Sequence, residues 1–209
     1  MSAGGPARCP SRPSSSVMRT RLRVIYDAVE RRARATSETH AWWPCRRGCD
    51  TCCRSLADVP LLVRAEWELL EEGLAALPPA VRAGIVARAL RLEPAQRPIT
   101  CPMLDEAEGA CLVYSHRPGA CRTYGFYVER DLGLHCALVT DAVAHHEKSE
   151  PAAPVVWGNQ TGVDYALARL AETDAAPLPL PAWLRASSSC ASSGPTEPGL
   201  LPSSPSSEM

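Results

Sequence analysis

"CRRGCDTCC", residues 45–53, holds four of the chain's ten cysteines in nine positions and ends on an adjacent pair. Three architectures compete for such a run: a disulfide knot, a thiolate metal site, and the three-cysteine loop that anchors an iron-sulfur cluster in a radical enzyme. Each demands different surroundings, so the remainder of the chain decides among them.

Four more cysteines follow downstream, giving a set of Cys45, Cys49, Cys52, Cys53, Cys101, Cys111, Cys121 and Cys136. All-cysteine zinc sites and cubane clusters each take four thiolates, so eight sulfurs suit a metal reading. Cys49 and Cys52 form a C-x-x-C knuckle whose turn lets two sulfurs converge on one ion. Adjacent side chains tend to diverge, so Cys53 is expected to serve a second metal or another corner of a cluster. The downstream group, C-x9-C-x9-C-x14-C, has no knuckle and departs from a zinc ribbon. Cys9 and Cys190 lie in low-complexity ends and are read as bystanders.

Compartment separates metal from disulfide. No apolar signal-peptide core follows Met1, and no run approaches the roughly 18 apolar residues of a membrane span. A cytoplasmic location is therefore expected, where thiols stay reduced and clustered cysteines bind metal. Met18 is an alternative start, since the residues before it read as unstructured. Net charge is −1, which gives no general attraction to nucleic acid or to an acidic membrane. Lys148 is the single lysine among 22 basic residues, so arginine near a cysteine carries little meaning by itself.

The radical-enzyme reading fails on size. Cys45, Cys49 and Cys52 do fit C-x3-C-x2-C, but that chemistry needs a partial α/β barrel of about 200 residues. Here residues 1–16 and 173–209 are rich in Ser, Pro, Gly and Ala and are predicted to be disordered. The folded unit of 17–172 is shorter than the barrel and shows no repeating strand-helix pairs.

Within that unit the patterning is mostly helical. Residues 17–36 set Leu22, Ile25, Tyr26, Val29 and Ala33 at helical spacing beneath an arginine-rich outer face. Residues 62–77 place Trp67, Leu70, Leu74 and Leu77 on one face, and Pro79 suits the first turn of a second helix carrying Val81, Ile85, Ala89 and Leu92. "DEAEGACLVY", 105–114, reads as a turn and a short strand, and 159–171 as a helix containing Val163, Leu167 and Leu170. The expected fold is mainly α with a small β hairpin: a compact cysteine-rich metal-binding domain with a helical hairpin between two cysteine groups.

Other chemistry is thin. His145, His146 and Glu147 form a polar run read as solvated surface. His116 and His135 stand near cysteines and could replace a sulfur, yet eight thiols leave no need for them. Trp42 and Trp43 precede the cluster and are read either as a water shield or as core.

The ordered set of C-x3-C-x2-C-C, C-P-x-L, C-x-x-Y followed by R-P, then C-R and a last cysteine resembles the YkgJ-type cysteine-cluster family of zinc- or iron-chelating domains. The match runs from Cys45 to Cys136 and includes Pro102, Leu104, Tyr114, Arg117, Pro118 and Arg122. The resemblance implies zinc or iron, including an iron-sulfur cluster, held for fold stabilisation, metal handling or redox sensing. One relative methylates lysines of flagellin, which frames a second reading: a side-chain-modifying enzyme with a pocket near Tyr114, Tyr124 and Arg122. No glycine-rich nucleotide loop supports that reading. A third is a zinc-stabilised adaptor that binds a protein or nucleic acid through the basic first helix.

Overall fold

The computed structural model describes residues 15–92, 97–150, 154–171 and 176–191. Helix α1 (Ser15–Thr39) is the longest element, extending the predicted helix at both ends. Its apolar stripe is buried as its spacing requires: Leu22, Tyr26, Val29 and Ala33 all face inward. A single helical turn, α2 (Thr51–Arg54), carries the adjacent cysteines. The predicted hairpin follows as α3 (Arg64–Ala75) and α4 (Pro79–Leu90), with Pro79 at the first position of α4. Proline is tolerated there because the first turn's N–H groups have no intrahelical acceptor.

Strands β2 (Leu104–Asp105) and β3 (Ala110–Cys111) make the expected small hairpin. A 3₁₀ turn, Tyr114–His116, and a short helix α5 (Gly119–Thr123) lead to β4 (Tyr127–Glu129) and β5 (Leu132–Gly133). Helix α6 (Ala137–Ser149) precedes β6 (Gly158–Asn159), which joins β4 in parallel, and α7 (Gln160–Ala171). The architecture is mainly α with small β elements.

Two apolar cores flank the middle of the molecule. The first joins the α3–α4 hairpin, through Trp67, Leu70, Ile85 and Ala89, to Met103 and Val113. Cys101 and Cys111 lie against it. The second joins Val29 and Ala33 of α1 to Trp43, Phe126, Val139 and Val163, and Cys45 and Cys136 lie against that one. A smaller cluster of Leu22, Tyr26 and Leu170 fixes α7 on α1.

Within the stretch 173–209, expected to be a disordered tail, residues 178–191 carry regular structure. Residues 178–191 return to the core: β7 (Leu178–Pro179) pairs antiparallel with β1 (Leu61–Leu62), and α8 (Leu180–Ala191) follows directly. Leu180, Trp183 and Leu184 are buried in the first core. Trp183 stacks on Trp67 with the rings 5° from parallel and donates its indole N–H to the Leu62 carbonyl at 3.0 Å. Averaging over a Ser- and Pro-rich stretch conceals this, because the local "LPLPAWL" motif needs only three apolar anchors to dock. Residues 1–14 and 192–209, also expected to be disordered, lie outside the described residues, as does Cys9; Cys190 falls on α8. Trp183→Ala removes the stack and the hydrogen bond together and is expected to cost about 3–5 kcal/mol in urea unfolding. A loss below ~1 kcal/mol would show that α8 is not part of the core.

Candidate metal centre

Five chain segments deliver the eight cysteines to one place. Cys45 and Cys49 sit in the loop after α1, where Gly48 takes φ +90 and the Cys49 N–H reaches the Arg46 carbonyl at 3.0 Å. Cys52 and Cys53 ride on α2. Cys101 is stitched to that turn, its N–H donating to the Cys53 carbonyl at 2.7 Å. Cys111 lies on β3, Cys121 on α5, and Cys136 at the N-cap of α6. All eight line a single cavity of about 480 Å³. None is in a disulfide. Among the described residues no three His, Cys, Asp or Glu side chains already stand at metal-ligating geometry, so ligation requires the sulfurs to close in.

Several of the sulfurs crowd one another. Burial pushes the Cys45 thiol up to about 12, reinforced by the charges of Cys136, Cys49 and Cys52. Burial likewise lifts the Cys121 thiol to about 12, with Cys111, Cys53 and Cys52 next to it. Cys121 is open to the cavity yet surrounded by protein, which explains how an accessible residue is strongly desolvated. A hydrogen bond donated to Cys101 raises Cys53, also to about 12. Cys52 is raised by its hydrogen bond to Cys53, then by burial. The adjacent pair therefore does not diverge as adjacency leads one to expect: one turn of helix brings both sulfurs into contact. Burial raises Cys111 as well. Tyr124, on the cavity wall, is raised first by burial and then by Cys136, Cys52 and Cys45.

A carboxylate scaffold fixes the segments that carry these sulfurs. Glu30 on α1 accepts from Arg122 Nη1 at 2.7 Å and from Arg117 Nη2 at 3.1 Å. Arg122 also donates to the carbonyls of Arg117 and Ser115, and its guanidinium lies 4.2 Å from the Tyr26 ring centroid. Arg117 stands 3.9 Å over the Tyr114 ring. The residues in "YSHRPGACR" thus brace the loop around Cys111 and Cys121. Glu66, buried on α3, accepts from the Tyr26 hydroxyl and the Gly119 N–H, each at 2.8 Å, and from the Val63 N–H at 3.1 Å. Burial pushes its carboxyl up, and the three donors oppose that shift. Sequence reasoning did not find Glu30 or Glu66, since an isolated Glu on a helix carries no signature.

The other expected residues sort as follows. Tyr114 and Tyr124 line the cavity, whereas Arg122 is buried behind it and fully engaged. Neither His116 nor His135 lines the cavity. His116 lies against Gly73, and His135 stacks on Trp157 with centroids 5.1 Å apart. His145 and Glu147 are exposed as expected, but His146 is buried, 4.6 Å from Trp42 and 5.3 Å from His40 between ring centroids. Trp43 is core: its indole nitrogen is buried without a regular acceptor and faces Cys45, opposing the larger effect of burial on that thiol.

Two features fit a thiolate metal group. The orphaned Trp43 N–H is a donor suited to a metal-bound sulfur, which carries more negative charge than a thiol. Gly125, at φ +89, leaves the space that Cys45 occupies, because a β-carbon there would stand 2.5 Å from its sulfur. Comparison with known proteins agrees. A family model described as "CxxCxxCC: Putative zinc- or iron-chelating domain" matches residues 44–148. No curated protein and no solved structure matches the chain. The family's title spaces its first two cysteines by two residues; this chain uses three, Arg46 to Gly48.

Gly125→Ala and Gly48→Ala form a matched pair, since both residues have positive φ but only Gly125 touches a sulfur. Each substitution is expected to cost about 1–2 kcal/mol of stability from backbone strain. Only Gly125→Ala should also lower bound metal by elemental analysis; equal metal contents would contradict the role given to Cys45. The match covers half the chain, and this protein belongs to the CxxCxxCC family of zinc- or iron-chelating domains.

Proposed function

We propose that the eight cysteines act as two thiolate quartets that meet at the Cys52–Cys53 pair. Cys45, Cys49, Cys52 and Cys136 make one quartet; Cys53, Cys101, Cys111 and Cys121 make the other. What supports this reading is the set of sulfur neighbours: Cys45 has Cys136, Cys49 and Cys52 beside it, Cys53 has Cys101 and Cys111, and Cys52 stands at the seam, near Cys45 on one side and Cys53, Cys111 and Cys121 on the other. The separate apolar cores behind the two groups support it. The quartets cross the sequence order, because the last cysteine joins the first group and Cys53 joins the downstream one.

Thiolate ligands suit zinc and iron alike. Bound metal would neutralise sulfurs that the fold forces together, so metal binding and folding are coupled in this reading. The chain's role is then to hold metal for stability, metal handling or redox sensing in a reducing compartment such as the cytoplasm. Among the described residues no helix is long and apolar enough to cross a membrane.

Cys52→Ser and Cys53→Ser test the partition. Each single variant, purified without oxygen, is expected to retain about half the wild-type metal, and the double variant almost none, because metal affinity depends on the deprotonated thiolate set. Wild-type metal content in both single variants would overturn the ligand assignment. Complete loss in each would replace two quartets with one indivisible cluster.

A further inference from the structure

The cavity is larger than its sulfurs need. Its lining runs past the cysteines along residues 55–60 and on to the start of α8, a part of the wall that carries no sulfur. The wall beyond the sulfurs is largely apolar, with Leu56 and Val59 of the loop after α2 and Leu180 at the start of α8. Pockets of this size and lining are typical of small-molecule sites.

The charges around this space are unequally committed. Glu30 is held by Arg117 and Arg122, and Asp58 by Arg97 at 2.9 Å. Arg34 on α1 and Arg46 in the cysteine loop also line the cavity and are exposed at its rim. Among the described residues no acidic side chain pairs with either guanidinium. Guanidinium groups recognise planar carboxylates through paired N–H donors.

We propose that this space binds a small organic acid. Its apolar body fills the pocket against Leu56, Val59 and Leu180, and its carboxylate meets Arg34 and Arg46 at the mouth. The orientation follows from charge, since metal-bound thiolates at the floor repel an anion and the rim attracts one. The orientation rests on the thiolate reading above; neither arginine is a ligand in the quartets, so measured metal content and measured acid binding separate the failure of one reading from the failure of the other.

Calorimetry on the anaerobically purified protein, with its metal content measured on the same sample, tests it. Hexanoate is expected to bind once per chain, and hexylammonium and inorganic phosphate each at least tenfold more weakly. The Arg34→Gln, Arg46→Gln double variant, checked for unchanged circular dichroism, should weaken hexanoate at least tenfold. Absence of hexanoate binding, equal affinity for hexylammonium or phosphate, or unchanged binding in a folded double variant would each overturn it. The comparison among the three probes uses wild-type protein and stands even if the double variant misfolds.

Discussion

Eight thiols enclosed in one cavity impose the constraint on which the rest of this structure depends. Burial and the nearby sulfurs resist ionisation of Cys45 and Cys121, lifting each thiol to about 12, and the hydrogen bond that Cys53 donates to Cys101, with burial, lifts Cys53 as far. Nothing in a fold of this size gains by assembling such a group for packing alone. A bound cation reverses the balance, because the same crowding that penalises free thiolates supplies ligands to a metal.

The scaffold answers that constraint with paired charge, Glu30 and Arg117 in the cavity wall and Arg122 and Glu66 behind it. Glu30 gathers Arg117 and Arg122, and Glu66 gathers Tyr26, Gly119 and Val63. Removing one donor from the buried Glu66 network leaves a buried polar group unsatisfied, which costs more than the intact hydrogen bond contributes. The loops that bear Cys111 and Cys121 are thus positioned by polar contacts to α1 and α3, while Cys45 and Cys101 rest on apolar cores. The enzyme reading loses one of its expected pocket residues here, since Arg122 is spent on bracing.

Much of this was legible in the sequence. Helical periodicity located α1, the α3–α4 hairpin and α7, because those elements bury one stripe and expose the other. The family pattern located all eight cavity cysteines. Other features were not legible. Strands of two or three residues, such as β4 and β6, are too short for alternation to register. Helix α8 sits in a stretch whose composition signals disorder, though Leu180, Trp183 and Leu184 anchor it. The N-terminus of α6 returns Cys136 beside Cys45, a long-range fact that spacing does not encode. His146, in a run that reads as solvated, is buried because α6 turns that one residue towards Trp42.

The central claim is that metal sits among these sulfurs in sets of four. X-ray absorption at the metal edge of anaerobically purified protein tests it most directly. The account predicts zinc or iron with about four sulfur neighbours near 2.3 Å and no nitrogen, the all-thiolate environment. A shell containing imidazole nitrogen, or protein that purifies without zinc or iron, would contradict it.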